Sequence, residues 1–297
     1  VGGTINIVTK STELSEGGKV AATVGNDGYL KTVMTYNTGV SDSGHAFSAS
    51  FGRTAGDGYV DGTPFEGYSY FLGYGYKSDD GKNNLQFIVT GAPQVHGQRT
   101  DSYYNMATLE DYRDYGVKYN YNYGLRNGEG FNMRNNYYHK PIASLNWELK
   151  LNNKTSLSAT AYASLGRGGG SGDLGRNGSY GFFSSSRWRN PDNGYVLWDE
   201  VVKHNSGQTA NWRYGSTSMG VDASTGQHIV NDESFSSRSE YPRRNGWIQR
   251  NSVNSHNWFG AIANLKTELA ENLTLDVGFD SRFYKGLHYR NVRDLLG

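Results

Sequence analysis

The chain has 297 residues, with 29 basic and 28 acidic side chains for a net charge of +1, a balance that argues against a general nucleic-acid binder. Hydrophobic residues make up only 36%, while glycine (40) and tyrosine (23) are abundant and proline is rare (5), so glycine stands in for aliphatics that a soluble globular domain carries. Cysteine is absent, which excludes disulfide and thiolate chemistry, and no run of ~18 apolar residues exists to form a transmembrane helix.

The first stretch, Val1-Gly2-Gly3-Thr4-Ile5-Asn6-Ile7-Val8-Thr9-Lys10, alternates Ile5, Ile7 and Thr9 against Thr4, Asn6 and Val8 behind a glycine pair, a strand signature. Residues 11–18 read as a polar linker. Residues 19–25 set Val20, Ala22 and Val24 against Lys19, Ala21 and Thr23, and Asn26-Asp27-Gly28 is a hairpin turn. A weaker strand covers 30–38, a tight turn covers 41–44, and 46–53 alternates Phe47, Ala49 and Phe51 with Ser48, Ser50 and Gly52. After a Gly/Asp loop over 54–66, residues 67–77 put Tyr68, Tyr70, Leu72, Tyr74 and Tyr76 on one face. A turn over 78–83 leads to a strand over 84–91 with Leu85, Phe87 and Val89 outward.

Residues 92–140 read as one long polar stretch. The cleanest strand follows over 142–151, with Ala143, Leu145, Trp147, Leu149 and Leu151 opposite Ser144, Asn146, Glu148 and Lys150. Asn152-Asn153-Lys154 turns it into a return strand over 156–165. Residues 166–255 form the longest irregular segment. Strands over 257–269 and 273–284 close the pattern around an Ala270-Glu271-Asn272 turn, and 285–297 is a polar tail.

This gives about nine strands of roughly 8–12 residues, the length of a tilted strand crossing a bilayer. The turns near Asp42, Asp80, Asn153 and Glu271 are all short. Those near Asp27, Gly58, Tyr112 and Gly207 include every long connection. That parity fits an outer-membrane barrel and gives a soluble sandwich no reason to gather its long loops at one end. The fold expected is therefore all-β, a transmembrane antiparallel β-barrel. Asn146, Glu148, Lys150, Asn264, Lys266, Glu268, Asp276, Asp280 and Arg282 are expected to line the lumen. The outward Tyr68, Tyr70, Tyr74, Tyr76 and Trp147 are expected to form interfacial girdles.

The opening segment resembles the end of the plug domain in TonB-dependent outer-membrane receptors, through Gly2, Gly3, Ile5, Asn6, Ile7, Thr9 and Lys10. Two further stretches are similar to one large branch of that family, which often carries a carboxypeptidase-regulatory-like domain before the plug. They are residues 90–99, Thr-Gly-Ala-Pro-Gln-Val-His-Gly-Gln-Arg, and the run from Asn136-Tyr137-Tyr138-His139-Lys140-Pro141 to Gly166-Arg167-Gly168-Gly169-Gly170-Ser171-Gly172. The resemblance implies residues 1–10 as the end of the plug and 11–297 as the N-terminal, incomplete part of a 22-stranded barrel. An odd strand count and the lack of an initiator Met, signal peptide, TonB box and plug body are read as marks of a fragment. It also implies active, TonB-coupled import across the bacterial outer membrane, with no covalent chemistry and no cofactor. The partners implied are the TonB complex, reached through the missing N-terminal part, membrane lipid, a surface lipoprotein as lid, and a solute. The family's cargo includes siderophores, haem, cobalamin, glycans and peptides. The alternatives are a passive outer-membrane pore or adhesin, and a soluble secreted carbohydrate-binding protein.

For ligand contact the long loops offer aromatics and arginines, which suit planar, sugar-like or anionic solutes. The candidates are Arg99, Tyr103, Tyr104, Arg113, Trp188, Arg189, Trp198, Trp212, Arg213 and Trp247, and the competing explanation is packing of the loops on one another. The run 166–175 lacks the Gly-Lys-Ser/Thr ending of a phosphate loop and reads as a flexible rim. The seven histidines show no metal-ligand spacing, although His96 and His139 flank adjacent strands. Asp79-Asp80 and Asp199-Glu200 read as solvated loop charge.

Overall fold

A computed structural model describes residues 10–99, 107–176, 188–212, 215–217, 231–232, 243–244 and 246–297. In chain order the strands are β1 (Gly17–Val24), β2 (Leu30–Val40), β3 (His45–Gly56), β4 (Phe65–Lys77), β5 (Asn83–Gly91), β6 (Gln94–Gly97), β7 (Tyr123–Arg126), β8 (Glu129–Asn132) and β9 (Asn135–His139). They continue as β10 (Ile142–Lys150), β11 (Thr155–Arg176), β12 (Val196–Leu197), β13 (Ala210–Trp212), β14 (Gly215–Thr217), β15 (Asn231–Asp232), β16 (Arg243–Arg244), β17 (Gly246–Ala270) and β18 (Leu273–Asp294). Two helices, α1 (Leu109–Tyr115) and α2 (Trp198–Asn205), lie in the long connections. A 3-10 turn at Ser11–Glu13 precedes β1.

Nine strands form one antiparallel meander in the order β1-β2-β3-β4-β5-β10-β11-β17-β18. These are the nine expected from alternation, in the expected order. One row across the sheet runs Tyr36, Ala49, Leu72, Val89, Ala143, Ala163, Phe259, Phe283. A row on the opposite face runs Ala46, Gly75, Gln86, Asn146, Thr160, Ile262, Asp280. Because the side-chain period is two, each row keeps its character from strand to strand, and a one-residue slip would exchange the faces. Apolar side chains on the first face, such as Leu72, Phe259 and Phe283, are well exposed. The short turns, at 41–44, 78–82, 151–154 and 271–272, gather at one end of the strands and the long connections at the other.

The outer ends of the strands depart from expectation. Residues 92–140 are not one loop: β6 continues β5, and β9 leads into β10. The pairing of β4 keeps one register through β5 and β6, and β11 keeps one register through β10 and β9. The interruptions fall at Ala92-Pro93 and Lys140-Pro141, where proline supplies no amide donor to the ladder. Likewise 166–255 is not irregular throughout. β11 is 22 residues long and pairs with β17 as far as Arg176↔Gly246, so the glycine run 166–175 is strand and not a flexible rim. The tail after residue 284 is strand as far as Asp294. These extensions escape a hydrophobic period because glycine and polar residues replace its apolar half.

Candidate functional site

The site expected from the sequence has two parts, a polar sheet face and the loops above it. The register places Asn146, Glu148, Lys150, Asn264, Lys266, Glu268, Asp276, Asp280 and Arg282 on one face of the sheet. They engage one another: across strands Asn264 Nδ2 donates to Asp276 at 2.5 Å, and along β18 Asp280 pairs with Arg282 at 2.6 Å.

The N-terminal segment is seated on this same face. Lys10 Nζ lies 3.0 Å from Glu148 Oε2, and Gln86 Nε2 donates to Ser11 Oγ at 3.3 Å. The seat is shaped by missing side chains. A Cβ at Gly73 would stand 2.6 Å from Ser11 Oγ, and one at Gly75 would stand 2.8 Å from the Thr12 methyl. Gly2, Gly3, Ile5, Asn6, Ile7 and Thr9 of the plug-like motif lie outside the described residues.

At the other end of the strands the long connections build a core of their own. Met133, Trp188, Val196, Trp198, Val201, Ala210, Trp247 and Leu296 are buried together, with Phe131, Val202 and Trp212 packed against them. Trp188 sits edge-on to Trp247 at 5.5 Å and stacks on Trp212 at 6.0 Å. Asn205 ties α2 to the strand ends, donating through Nδ2 to the carbonyls of Trp247 (2.6 Å) and Leu296 (2.9 Å). Gln249 Nε2 donates to the Met133 carbonyl at 3.0 Å, which anchors the segment before β9 against β17. Arg189 is buried too. Its guanidinium stands 3.4 Å from the Tyr121 ring centroid and donates to the Gly194 carbonyl at 3.2 Å.

Of the remaining loop candidates, Arg99 is exposed and lies 5.7 Å over the Tyr112 ring. Arg113, on α1, pairs with Glu110 and Asp114, each at 3.1 Å. Tyr103, Tyr104 and Arg213 lie outside the described residues. His96 and His139 do not meet: His96 faces Asn136 across the ladder, and His139 Nε2 is 2.9 Å from Tyr70 Oη. Among the described residues no group of three or more metal-ligating side chains is placed to hold an ion.

Between the loops and the strand ends lies an open cavity of about 650 Å³. Tyr59, Asp61, Lys118, Tyr123, Gln249 and Arg293 are among the residues that line it. Its polar groups mostly serve the loops. Lys118 pairs with Asp27 at 3.3 Å and lies 5.1 Å over the Tyr59 ring. Burial, with the hydrogen bond that Tyr195 donates to Asp61 at 3.0 Å, pushes the Tyr195 phenol up to about 12.

Asp294 closes the cavity's rim. Its burial opposes ionisation, but the Leu296 amide (2.8 Å), Arg126 (2.5 Å) and nearby Arg293 outweigh it and hold the carboxyl below its usual range. A depressed carboxylate pKa gives stability that is full above the unfolded value and is lost as pH falls through the folded one. The contact between β7 and the end of β18 should therefore persist at pH 5 and weaken below about pH 4, near the ordinary Asp value. Hydrogen exchange of residues 123–126 against pH checks this; in Asp294→Asn the acid-induced loosening should disappear.

Sequence reasoning missed the basic residues at the outer ends of β17 and β18. Burial, then the guanidinium groups of Arg290 and Arg134, lower the proton affinity of Arg250, and Asp173 is the carboxylate that opposes them. Asp173 itself is held above the usual range by burial, in spite of Arg134 at 3.1 Å. Extending the alternation outward past residue 257 puts Arg250 and Arg290 on the polar face, which is the signal that would have found them.

No family model and no curated relative matches the sequence. Among solved structures the chain is similar to the ferric-catecholate import receptor Fiu from K12 E. coli. The TM-score is 0.44 and the identity 12%, over 97% of this chain and 49% of that one. It is also similar to the siderophore receptor PiuA from Acinetobacter baumannii, with a TM-score of 0.37 and 10% identity over 91% of this chain and 46% of that one. The chain thus spans about half the length of each. By its own geometry it is a mostly β chain: one long antiparallel meander with an apolar face, a polar face, and its long loops at one end.

Proposed function

We propose that the chain is part of a TonB-dependent receptor that imports a solute across the bacterial outer membrane. The observation that carries this is the seat of Lys10–Thr12 on the polar face. In a barrel whose apolar face meets lipid, that face lines the lumen, and the segment leading into β1 enters from inside, as the exit of a plug would. An adhesin or an open pore has no need of such a seat. The lumen-facing residues named above would then meet the plug, and the exposed Arg99 and Arg113 would meet solute at the mouth. The reading of TonB coupling rests on the resemblance of residues 2–10 to a plug exit.

The absence of cysteine from these 297 residues makes the seat directly testable. In the full-length protein, the pair Ser11→Cys and Gln86→Cys should be joined by a short, reducible bis-methanethiosulfonate cross-linker and reduce energised uptake, with recovery on reduction. The same protein should sediment with the outer membrane and shift its gel mobility on boiling in detergent. A soluble protein without that shift would overturn the membrane assignment. Uptake that continues without TonB would replace the importer with a passive pore.

A further inference from the structure

The polar face of β11, β17 and β18 also carries an aromatic shelf. Trp258 stands in register with Ser164 on one side and Tyr284 on the other. Its ring centroid is 5.5 Å from that of Tyr162 and 6.4 Å from that of Tyr284, both edge-to-face. His256 adds a polar corner, 5.8 Å from the Tyr284 ring and 3.0 Å from Ser164 Oγ through Nε2. The rings lie down on the sheet because the positions beneath them are glycine. A Cβ at Gly260 would stand 2.2 Å from the Tyr162 ring, and one at Gly166 would stand 2.4 Å from the His256 ring. Tyr284 remains 58% exposed. A face otherwise set with Ser, Asn, Thr and charged groups thus offers stacking surfaces at one level.

Outward from the shelf the same face turns basic. Asn254 pairs with His288, Ser252 with Arg290, and Arg250 follows. Arg250 and Arg290 make no ion pair among the described residues; Arg250 Nη1 donates to Ser252 Oγ at 2.5 Å, and its Nε is buried without a hydrogen-bond partner. Guanidinium groups crowded in this way are eased by a carboxylate or phosphate, which their planar fork fits. The distance along β17 from Ser252 to Trp258 is about 20 Å at the rise of a strand.

We infer that this face is a track for a solute that carries both a stackable ring and an anionic group. Arg250 and Arg290 take the anion near the outer end, and Trp258, Tyr284 and Tyr162 take the ring further in. The inference rests on the import proposed above.

The test uses full-length protein in detergent micelles and four probes followed by saturation-transfer NMR. Benzoate and glucuronate carry ring and charge, benzyl alcohol a ring only, and acetate a charge only. Trp258→Ala should weaken the bound ring-bearing anion about three- to tenfold, with most of the affinity restored in Trp258→Phe. The pair Arg250→Gln and Arg290→Gln should weaken the anionic probes and leave benzyl alcohol unchanged. Preference for benzoate assigns the track to aromatic acids, and preference for glucuronate to sugar acids. Unchanged binding in Trp258→Ala, acetate binding as tightly as benzoate, or no binding of either ring-bearing anion overturns it. The boiling shift is recorded for every sample. Its absence in the unaltered protein defeats the membrane assignment itself, whereas a normal shift without probe binding defeats only the track.

Discussion

Trp198→Ala should cost the loop assembly about 3–5 kcal/mol of local stability, the usual range for truncating a buried Trp. Trp198 is fully buried at the start of α2. Its ring meets Phe131 edge-on at 4.9 Å, and its Nε1 donates to the Phe131 carbonyl at 3.1 Å. The substitution therefore opens a cavity and strips a partner from a carbonyl at the same point. Around it stand Met133, Val201, Trp247 and Leu296, which come from four separate stretches of chain and cannot close together on the gap. Hydrogen exchange should show residues 123–132 and 196–205 losing protection while β1 to β5 keep theirs. Unchanged protection would mean that another contact holds the loops.

Leu145→Lys should remove about 2–4 kcal/mol from membrane assembly, the cost of a lysine on the lipid side near mid-bilayer. Leu145 lies in the row Phe47, Tyr74, Phe87, Leu145, Ala161, Ala261. The neighbouring Asn146→Lys points to the polar face. It loses the hydrogen bond accepted from Thr160 Oγ1 at 2.9 Å and the long one donated to Ser144 Oγ at 3.4 Å, together worth about 1–2 kcal/mol. Folded yield in the outer membrane, read from the unboiled gel band across a urea series, separates the two. Equal tolerance would contradict the assigned faces, and a gain in solubility from Leu145→Lys would point to an apolar face that meets water.

The two substitutions bracket what the sequence makes legible. The rows through Leu145 and Asn146 are readable because each face imposes its own solvent on every second residue, and nine strands come out of that one period. Beyond residue 165 on β11 the apolar half of the period ends, with Arg167, Gly169, Ser171 and Asp173 in its places, and these residues, with glycine at alternate positions on the polar face, hide a strand. Pro93 and Pro141 conceal continuity differently, by breaking two strands whose register nonetheless runs on. The tryptophans of the loops are visible as composition, but that Trp188, Trp198 and Trp247 share one interior depends on contacts between residues far apart in the chain. Trp258 lies inside the strand read over 257–269, on the face of Gly260, Ile262 and Asn264, but that its ring meets Tyr162 and Tyr284 depends on the register with β11 and β18.

The length of β17 has a consequence for how charge acts on an arriving solute. A tilted strand crosses the hydrocarbon layer in about 9–11 residues, and β17 has 25. The remainder amounts to ~45 Å of strand, or ~30 Å of height at a tilt near 45°. Physiological salt screens exposed charges over about 8 Å. On the track inferred above, Arg250 and Arg290, near the top of that height, would govern arrival, and the rings around Trp258, roughly two screening lengths below, would govern what happens after it. Raising ionic strength should slow capture at the top far more than it loosens a ring already held on the shelf, so on-rate and residence time answer to different parts of the same wall.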